Sequence, residues 1–180
     1  MGASVTVKIA VALAAVAAVT TTAIFLLAAR AADSEIERGK YLVNLAGCND
    51  CHTPGYFFGK PDAAQYLGGS DVAFEIPGLG AFAGSNITPD KETGIGNWTI
   101  EQIVTTLQTG QRPDGRILAP IMPWRAFAGL SRQDATAIAA YLKSIPPVNH
   151  RGAGPFGPGD KITASLFRIS PPGETVAPAK

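Results

Sequence analysis

The amino-terminal segment is the most apolar part of the chain. Twenty-one residues without a charge run from Ile9 to Ala29, and at about 1.5 Å per residue a helix of that length crosses a hydrocarbon core of about 30 Å. A secretory signal has an apolar stretch of only ~7–15 residues, so the length favours an uncleaved membrane anchor. The alanine-rich composition and the small residues on either side of Arg30 favour a signal that is cleaved instead.

Both interpretations of this segment give the chain the same orientation. Lys8 stays in the cytoplasm, whereas the acidic residues Asp33, Glu35 and Glu37 lie on the other side of the membrane. The body of the protein is therefore expected in the periplasm. It is either held at the inner (cytoplasmic) membrane by a single anchor within residues 1–32, or soluble in the periplasm after cleavage.

Apolar residues recur with helical spacing in three later stretches, each preceded by a typical N-cap. In a capping box the first residue accepts a hydrogen bond from the backbone three positions on, whose Glu or Gln side chain reaches back. Glycine and proline are common where a helix ends. The pattern predicts helices over residues 35–45 (Ser34 and Glu37), 100–109 (Thr99 and Gln102, then Gly110) and 132–145 (Ser131, then Pro146-Pro147).

Two of these helices carry small residues that favour a close crossing. Gly39 interrupts the first helix at a cost of up to about 1 kcal/mol relative to alanine. The last helix contains Ala135, Ala137, Ala139 and Ala140, which allow another helix to approach. Gly39 is the expected partner of these alanines, the alternative being an incidental glycine on a solvated face.

The remaining stretches lack strong periodicity and predict a mostly α fold with three or more helices joined by long loops. Residues 53–97 contain many turn residues, and residues 111–124 are extended because Pro113, Pro120 and Pro123 exclude a helix. We divide the chain into an anchor or signal segment (1–32), one domain (33–148) and a Gly/Pro-rich tail (149–180). The tail is either unstructured or a strap that docks on a partner subunit.

Composition and charge indicate the kind of fold and exclude one class of partner. The chain has 180 residues with 20 Gly and 14 Pro, which indicates a loop-rich body. Its formal net charge is +1, and it has no basic stretch or phosphate-binding loop. Nucleic acid is therefore not an expected partner.

The segment Cys48-Asn49-Asp50-Cys51-His52 carries the strongest chemical signal. C-x-x-C-H predicts covalent attachment of haem c, with two thiols bonded to the porphyrin and the adjoining imidazole as an axial iron ligand. A structural zinc site normally uses four Cys or His ligands in two separated pairs. A thioredoxin-like motif needs a βαβ pattern, which we do not find, and a local disulfide is a further alternative. The sequence therefore predicts one haem c held by Cys48 and Cys51, with His52 bound to its iron.

Few residues of the chain could serve as a second axial ligand of haem iron. Apart from Met1, the chain contains one methionine, Met122, and one further histidine, His150. Met122 lies between Pro120 and Pro123 in a stiff loop and is the favoured ligand, with His150 or an open site as alternatives. His/Met ligation raises the reduction potential and leaves no iron position for a substrate, which implies one-electron transfer.

Several side chains around these ligands are candidates for lesser roles. Trp98 is the expected hydrogen-bond donor to a haem propionate, with plain core packing as the alternative. Arg112, Arg116 and Arg125 flank the Met122 loop. They are expected to form a basic rim for an acidic partner, or else to pair with propionates or remain solvated.

Four stretches carry a resemblance to a known family: RGKYLVNLAGCNDCHTP, NITPDKETGIGNW, LQTGQRPDGRILAPIMPW and AIAAYLKSIPPV. Over about Asp33 to Val148 the chain resembles class I cytochrome c domains. More narrowly, it resembles the haem domains of cytochrome subunits of bacterial membrane-bound dehydrogenases, such as those for alcohol, gluconate and aldehyde. The resemblance implies that Cys48 and Cys51 hold the haem, with His52 as proximal and Met122 as distal ligand. Similar subunits often contain three such domains, whereas this chain has a single C-x-x-C-H.

The resemblance implies an electron carrier rather than an enzyme, in the form of a subunit of an oxidoreductase complex. The expected donor is a periplasmic or membrane-bound dehydrogenase, and the expected acceptor is another cytochrome or a terminal oxidase. Two alternatives from other classes stay open. One is a haem enzyme or gas sensor with an open distal site, and the other is a mainly structural subunit that assembles a complex.

Overall fold

A computed structural model describes residues 2–168 of the chain, with side chains from residue 24 onward. This part contains five α-helices and three β-strands. The helices are α1 (Gly2–Leu45), α2 (Cys48–His52), α3 (Ile100–Thr109), α4 (Trp124–Phe127) and α5 (Arg132–Ser144). The strands are β1 (Val72–Ile76), β2 (Gly80–Ala83) and β3 (Ser165–Phe167), and short 3₁₀ turns lie at Tyr56–Phe58 and Ala63–Gln65.

The first helix begins much earlier than the capping box predicted. α1 continues through Ser34 to Leu45, so the prediction that Ser34 starts a new helix is wrong. The residues before Ser34 are mainly alanine, the best helix former, and no Gly or Pro interrupts them from Ile24 onward. A capping box starts a helix only where the preceding residues leave the helical conformation.

The backbone of the predicted anchor lies within α1, but its side chains are only partly described. Most of the stretch Ile9–Ala29 lies among residues whose side chains are not described. Within the part of the chain that is described, no helix is long and apolar enough to cross a membrane.

The core forms where α1 and α3 pack against α5. A Cβ atom added at Gly39 would lie 2.6 Å from the carbonyl carbon of Ala137 and 2.8 Å from Cβ of Tyr141. Both distances are well inside van der Waals contact, so the crossing of α1 and α5 requires glycine at this position. The predicted close crossing is confirmed. The core between the helices contains Leu42, Val43, Ile103, Val104, Ile138 and Leu142.

The N-terminal caps of α3 and α5 are those that the sequence predicts. The Thr99 hydroxyl accepts from the Gln102 N–H at 3.1 Å, and the Gln102 side chain accepts from the Thr99 N–H at 2.9 Å. Ser131 likewise accepts from the Asp134 N–H at 3.0 Å. α3 ends at Gly110 with φ 74°, a left-handed conformation that glycine adopts without strain.

A small sheet that the sequence did not predict lies beside the helices. β1 pairs antiparallel with β2, placing Phe74 opposite Phe82, and pairs in parallel with β3. The interpretation of residues 53–97 as loops alone is therefore wrong. Strands of three to five residues carry too little alternation to be recognised.

The described part of the tail, residues 149–168, is a strap on its own chain rather than an unstructured segment. Phe156 forms a bridge with Ala81, and β3 adds to β1. The buried Asn86 amide donates to the carbonyl oxygens of Val148 and His150 at 2.7 and 3.1 Å. The strap therefore closes over the loop that carries Asn86. Residues 169–180 of the predicted tail lie outside the described residues.

Candidate haem-binding site

The segment with the two cysteines and the histidine forms a one-turn helix of its own. Gly47, in the left-handed conformation with φ 65°, separates α2 from the end of α1. Cys48 and Cys51 are half-buried free thiols about one turn apart on this helix. Burial raises the pKa of the Cys48 thiol to about 11 and also raises that of Cys51, so both are protonated at neutral pH.

His52 ends α2, and its ring is held in one orientation. Its side chain is 8% exposed, and Nδ1 lies 2.6 Å from the carbonyl oxygen of Ser85. A carbonyl can only accept, so Nδ1 carries the proton and donates, and Nε2 keeps its lone pair. Burial lowers the pKa of His52, which favours the neutral ring. A neutral imidazole with a free Nε2 is the form that binds iron.

The backbone around His52 is fixed by the segment that supplies the Ser85 carbonyl. The His52 carbonyl accepts from the Gly69 N–H at 2.8 Å, and the Gly84 carbonyl accepts from the Ser70 N–H at 2.8 Å. A Cβ atom at Gly84 would lie 2.6 Å from the carbonyl carbon of Cys51 and 3.2 Å from His52 Nδ1. Glycine at position 84 therefore lets this strand end lie directly against the helix α2.

Thr53 ties α2 to the following loop from inside the protein. Its buried hydroxyl donates to Asn49 Oδ1 at 2.6 Å and accepts from the Leu67 N–H at 2.9 Å. Both hydrogen-bonding capacities of the hydroxyl are used, so the turn between the cysteines and the loop is held at two points.

Met122 lies on a separate loop from the cysteines and His52. It sits between α3 and α4, half-buried, and its N–H donates to the Ala119 carbonyl at 3.0 Å. Its own carbonyl accepts from the Trp124 N–H at 2.8 Å. These backbone bonds and the flanking Pro120 and Pro123 define the loop around its thioether.

His150 is hydrogen-bonded to residues of two other loops. Its Nδ1 lies 2.8 Å from the Gly68 carbonyl oxygen, to which it donates, and its backbone N–H donates to the Thr93 hydroxyl at 3.2 Å. The residue thus fastens the strap to the loops beneath it.

The two tryptophans near this loop differ in what surrounds their rings. Trp98 packs against the hydrophobic core, and the Arg112 guanidinium lies over its ring at 5.2 Å from the centroid. Trp124 Nε1 is buried and has no partner among the described residues. Sequence reasoning gave no role to Trp124, which directly follows Pro123 in the Met122 loop.

The three arginines near this loop differ in their partners. Arg116 donates to Asp114 from Nη2 at 2.7 Å and from Nε at 3.0 Å. Arg125 lies over the Trp124 ring at 4.4 Å. The expected basic rim therefore includes one carboxylate, Asp114, which offsets part of its positive charge.

Comparison with known proteins identifies the family. The cytochrome c family model matches residues 36–146, which include the cysteines, His52 and Met122. The chain belongs to the cytochrome c family. Family membership implies covalently bound haem c, and the site fits this group: two thiols one turn apart stand next to a neutral imidazole with a free Nε2.

Several curated relatives of the chain are cytochrome subunits of dehydrogenases. The chain is 37% identical over 77% of its length to the cytochrome c subunit of a quinone alcohol dehydrogenase from Gluconobacter oxydans (strain 621H). It is 39% identical over 63% to the fructose dehydrogenase cytochrome subunit of Gluconobacter japonicus. It is 33% identical over 66% to the gluconate 2-dehydrogenase cytochrome c subunit of Pantoea cypripedii.

These relatives are much longer proteins. The matched part of the chain spans 28%, 22% and 25% of their lengths, respectively. The resemblance to dehydrogenase cytochrome subunits is confirmed, and their names agree with an electron carrier rather than a catalytic subunit.

Proposed function

We propose that this cytochrome c carries one haem, bonded to Cys48 and Cys51, and transfers single electrons with His52 and Met122 as axial ligands. The haem supplies the ferric/ferrous couple, and the chain supplies its attachment, its ligands and its exclusion from water. Of the 180 residues, only Cys48 and Cys51 can form thioether bonds, which supports a single haem.

The orientation of His52 is the observation that carries this proposal. His52 Nδ1 lies 2.6 Å from the Ser85 carbonyl oxygen, which keeps the proton on Nδ1. The ring is buried, and His52 directly follows the second cysteine of the motif. A hydrogen bond of this kind fixes the tautomer and orientation of a ligating imidazole and raises its basicity. His52 is therefore prepared to bind iron through Nε2.

Met122 is favoured over His150 as the second ligand. The Nδ1 of His150 donates to the Gly68 carbonyl as that of His52 donates to Ser85, so this bond does not separate the two candidates and the choice rests on Met122 itself. The thioether of Met122 is a soft ligand of the type found in cytochromes c. Its loop is stiffened by two prolines, which reduces the entropy lost when the thioether is held in one place.

The proposed partners follow from the relatives. The chain is proposed to accept electrons from a periplasmic or membrane-bound dehydrogenase and to pass them to another cytochrome or a terminal oxidase. It is proposed to face the periplasm from the inner membrane, anchored through residues 1–32. The exposed Ile24, Phe25, Leu26 and Leu27 on consecutive positions of α1 support this anchor, because such a cluster is stabilised by burial in lipid.

Absorption spectra of the purified protein, with and without carbon monoxide, test the ligation. The oxidised wild type is expected to show the weak long-wavelength band of sulfur-to-iron charge transfer, and the reduced wild type no shift with carbon monoxide. Met122→Ala is expected to lose the band and to bind carbon monoxide. His150→Ala serves as the matched control, because it removes the other candidate ligand and is expected to leave the spectrum unchanged.

Two results would contradict the proposal in different ways. Carbon monoxide binding by the wild type would mean an open iron position and would favour a haem enzyme or gas sensor. A spectrum altered by His150→Ala but not by Met122→Ala would make His150 the ligand. Mass spectrometry of the denatured protein gives the number of haems independently, with one covalent haem expected.

A further inference from the structure

The carbonyl group that orients His52 belongs to a residue at the protein surface. Ser85 is exposed, whereas the His52 side chain that it binds is buried. Exposed segments outside helices and strands open locally at low free energy unless their neighbours are held. The 2.6 Å contact between the Ser85 oxygen and His52 Nδ1 therefore depends on what fixes the two adjoining residues, Gly84 and Asn86.

The strap, residues 149–168, lies directly beside the carbonyl group of Gly84. A Cβ atom added at Gly152 would lie 2.9 Å from the Gly84 carbonyl oxygen, which is inside van der Waals contact. The same oxygen accepts from the Ser70 N–H at 2.8 Å, and the Ser70 carbonyl accepts from the Ala153 N–H of the strap at 3.2 Å. Because Gly84 also packs closely against α2, its backbone has contacts with both α2 and the strap and little freedom to move.

The start of the strap is hydrogen-bonded to Asn86, the other neighbour of Ser85. Asn86 is buried, and its amide donates to the carbonyl oxygens of Val148 and His150 at 2.7 and 3.1 Å. Its Oδ1 accepts from the N–H and the hydroxyl of Thr88 at 2.9 and 2.7 Å. A buried amide whose donor and acceptor groups are both paired is held in one orientation. The strap therefore holds the residues on both sides of Ser85.

The strap also contacts the segment that binds the backbone of His52. The Gly69 N–H donates to the His52 carbonyl at 2.8 Å. A Cβ atom added at Gly69 would lie 3.1 Å from the Gly152 α-carbon, so these two backbones touch. Gly152 thus lies against both segments that hydrogen-bond to His52, one through its backbone and the other through its ring.

We propose that Gly152 and Asn86 are positioning residues for His52, through which the strap holds the Ser85 carbonyl and thereby tunes the reduction potential. The inference rests on the proposed function, because it needs His52 bound to haem iron. A hydrogen bond at the far nitrogen raises the basicity of a ligating imidazole. A more basic ligand favours the oxidised iron, so a loosened strap weakens this hydrogen bond and raises the midpoint potential.

Two variants disturb the strap from its two sides. Gly152→Ala adds a methyl group against the Gly84 carbonyl and removes no group, so it opens no cavity to water. Asn86→Ala removes the amide that donates to the start of the strap. Gly157→Ala is the matched control for the first variant, because it makes the same change in the same strap and its Cβ atom would meet only the Asp160 side chain, at 3.3 Å. The exposed Asn97→Ala is the control for the second.

NMR of the reduced holoprotein measures how firmly the Ser85 carbonyl holds the His52 ring. The readout is the solvent exchange of the His52 Nδ1 proton, compared with that of the Val104 amide, which lies in the core of α3 and reports global unfolding. In Gly152→Ala and Asn86→Ala we expect the ring proton to exchange about tenfold faster or more, relative to the Val104 amide, than in the wild type. Both controls are expected to match the wild type.

Spectroelectrochemical titration gives the second readout. Gly152→Ala is expected to have a higher midpoint potential than Gly157→Ala, with the sulfur-to-iron band retained. The proposal is overturned if the ring proton gains no more than the Val104 amide in both variants, or if the two glycine variants share one potential. Should Gly152→Ala fail to fold or lose the band, the exchange in Asn86→Ala against Asn97→Ala decides the matter.

Failure of the proposed function would be visible separately in the wild type. An open iron position there would contradict His/Met ligation, while the comparison of the ring proton among the variants would still decide the role of the strap. A wild type without covalent haem would overturn both proposals.

Discussion

Gly84→Ala is the substitution for which the structure predicts the clearest effect on the haem-binding site. The added methyl carbon would lie 2.6 Å from the Cys51 carbonyl carbon, whereas carbon atoms in contact prefer about 3.5–4 Å. The Cys51 carbonyl oxygen lies closer still to that methyl carbon, so the two backbones must separate by more than about 1 Å. Because Gly84 does not have a positive φ, backbone strain makes no contribution and the effect is steric.

The cost of this separation can be worked from the contacts it disturbs. Overpacking a close contact costs about 1–3 kcal/mol. The hydrogen bonds from His52 Nδ1 to Ser85 and from the Ser70 N–H to Gly84 both cross the same contact, and each contributes about 0.5–1.5 kcal/mol. Gly84→Ala is therefore expected to lower the free energy of unfolding by about 2–6 kcal/mol.

Urea unfolding of the holoprotein, followed by circular dichroism, measures this change. Gly129→Ala is the matched control, because a Cβ atom there would meet only the Ala126 carbonyl oxygen, at 3.7 Å. It is expected to change the stability by less than about 1 kcal/mol. If Gly84→Ala stayed within about 0.5 kcal/mol of the wild type, the packing of Gly84 against α2 would not hold His52 in place.

Two further predictions concern the strap and the loop beneath it. Asn86→Ala removes the donor to the Val148 and His150 carbonyls; stability should fall by roughly 3 kcal/mol, and limited proteolysis should cut the strap sooner than in the exposed-site control Asn97→Ala. Asp90 accepts hydrogen bonds from the backbone N–H and the hydroxyl of Thr93, which lower its pKa. Its contribution to stability is therefore present above the unfolded pKa of about 3.9 and is lost as the pH falls through the lower folded value. The urea midpoint of Asp90→Asn should vary less than that of the wild type between about pH 5 and pH 2, and equal slopes would contradict this.

The correct helix predictions depend on interactions between neighbouring residues. The capping box at Thr99 and the N-cap at Ser131 each join residues three positions apart, so the sequence pattern contains the whole interaction. The same pattern at Ser34 failed because it says nothing about the preceding residues, which keep the helix going. A cap signal thus predicts a helix start only together with a break before it.

The small sheet and the strap could not be predicted in this way. β3 pairs with β1 about ninety residues earlier in the chain, as in the pairing of Ala73 with Leu166. Neither strand is stable alone, and each acquires its hydrogen-bond partners only when the chain returns to the same place. The path of the chain, and not local composition, decides that the strap lies on its own domain.

The sequence by itself determined which groups are available to bind a haem, because two cysteines and a histidine within five residues must share one turn. Only the tertiary structure decided what surrounds them. The Ser85 carbonyl that orients His52 comes from 33 residues away, and the Gly84 backbone that packs against Cys51 directly follows the end of a different element, β2. The physical reason is the distance along the sequence between the residues in contact. Spacing along the chain determines contacts within one helical turn, whereas contacts between distant segments depend on how the whole chain packs.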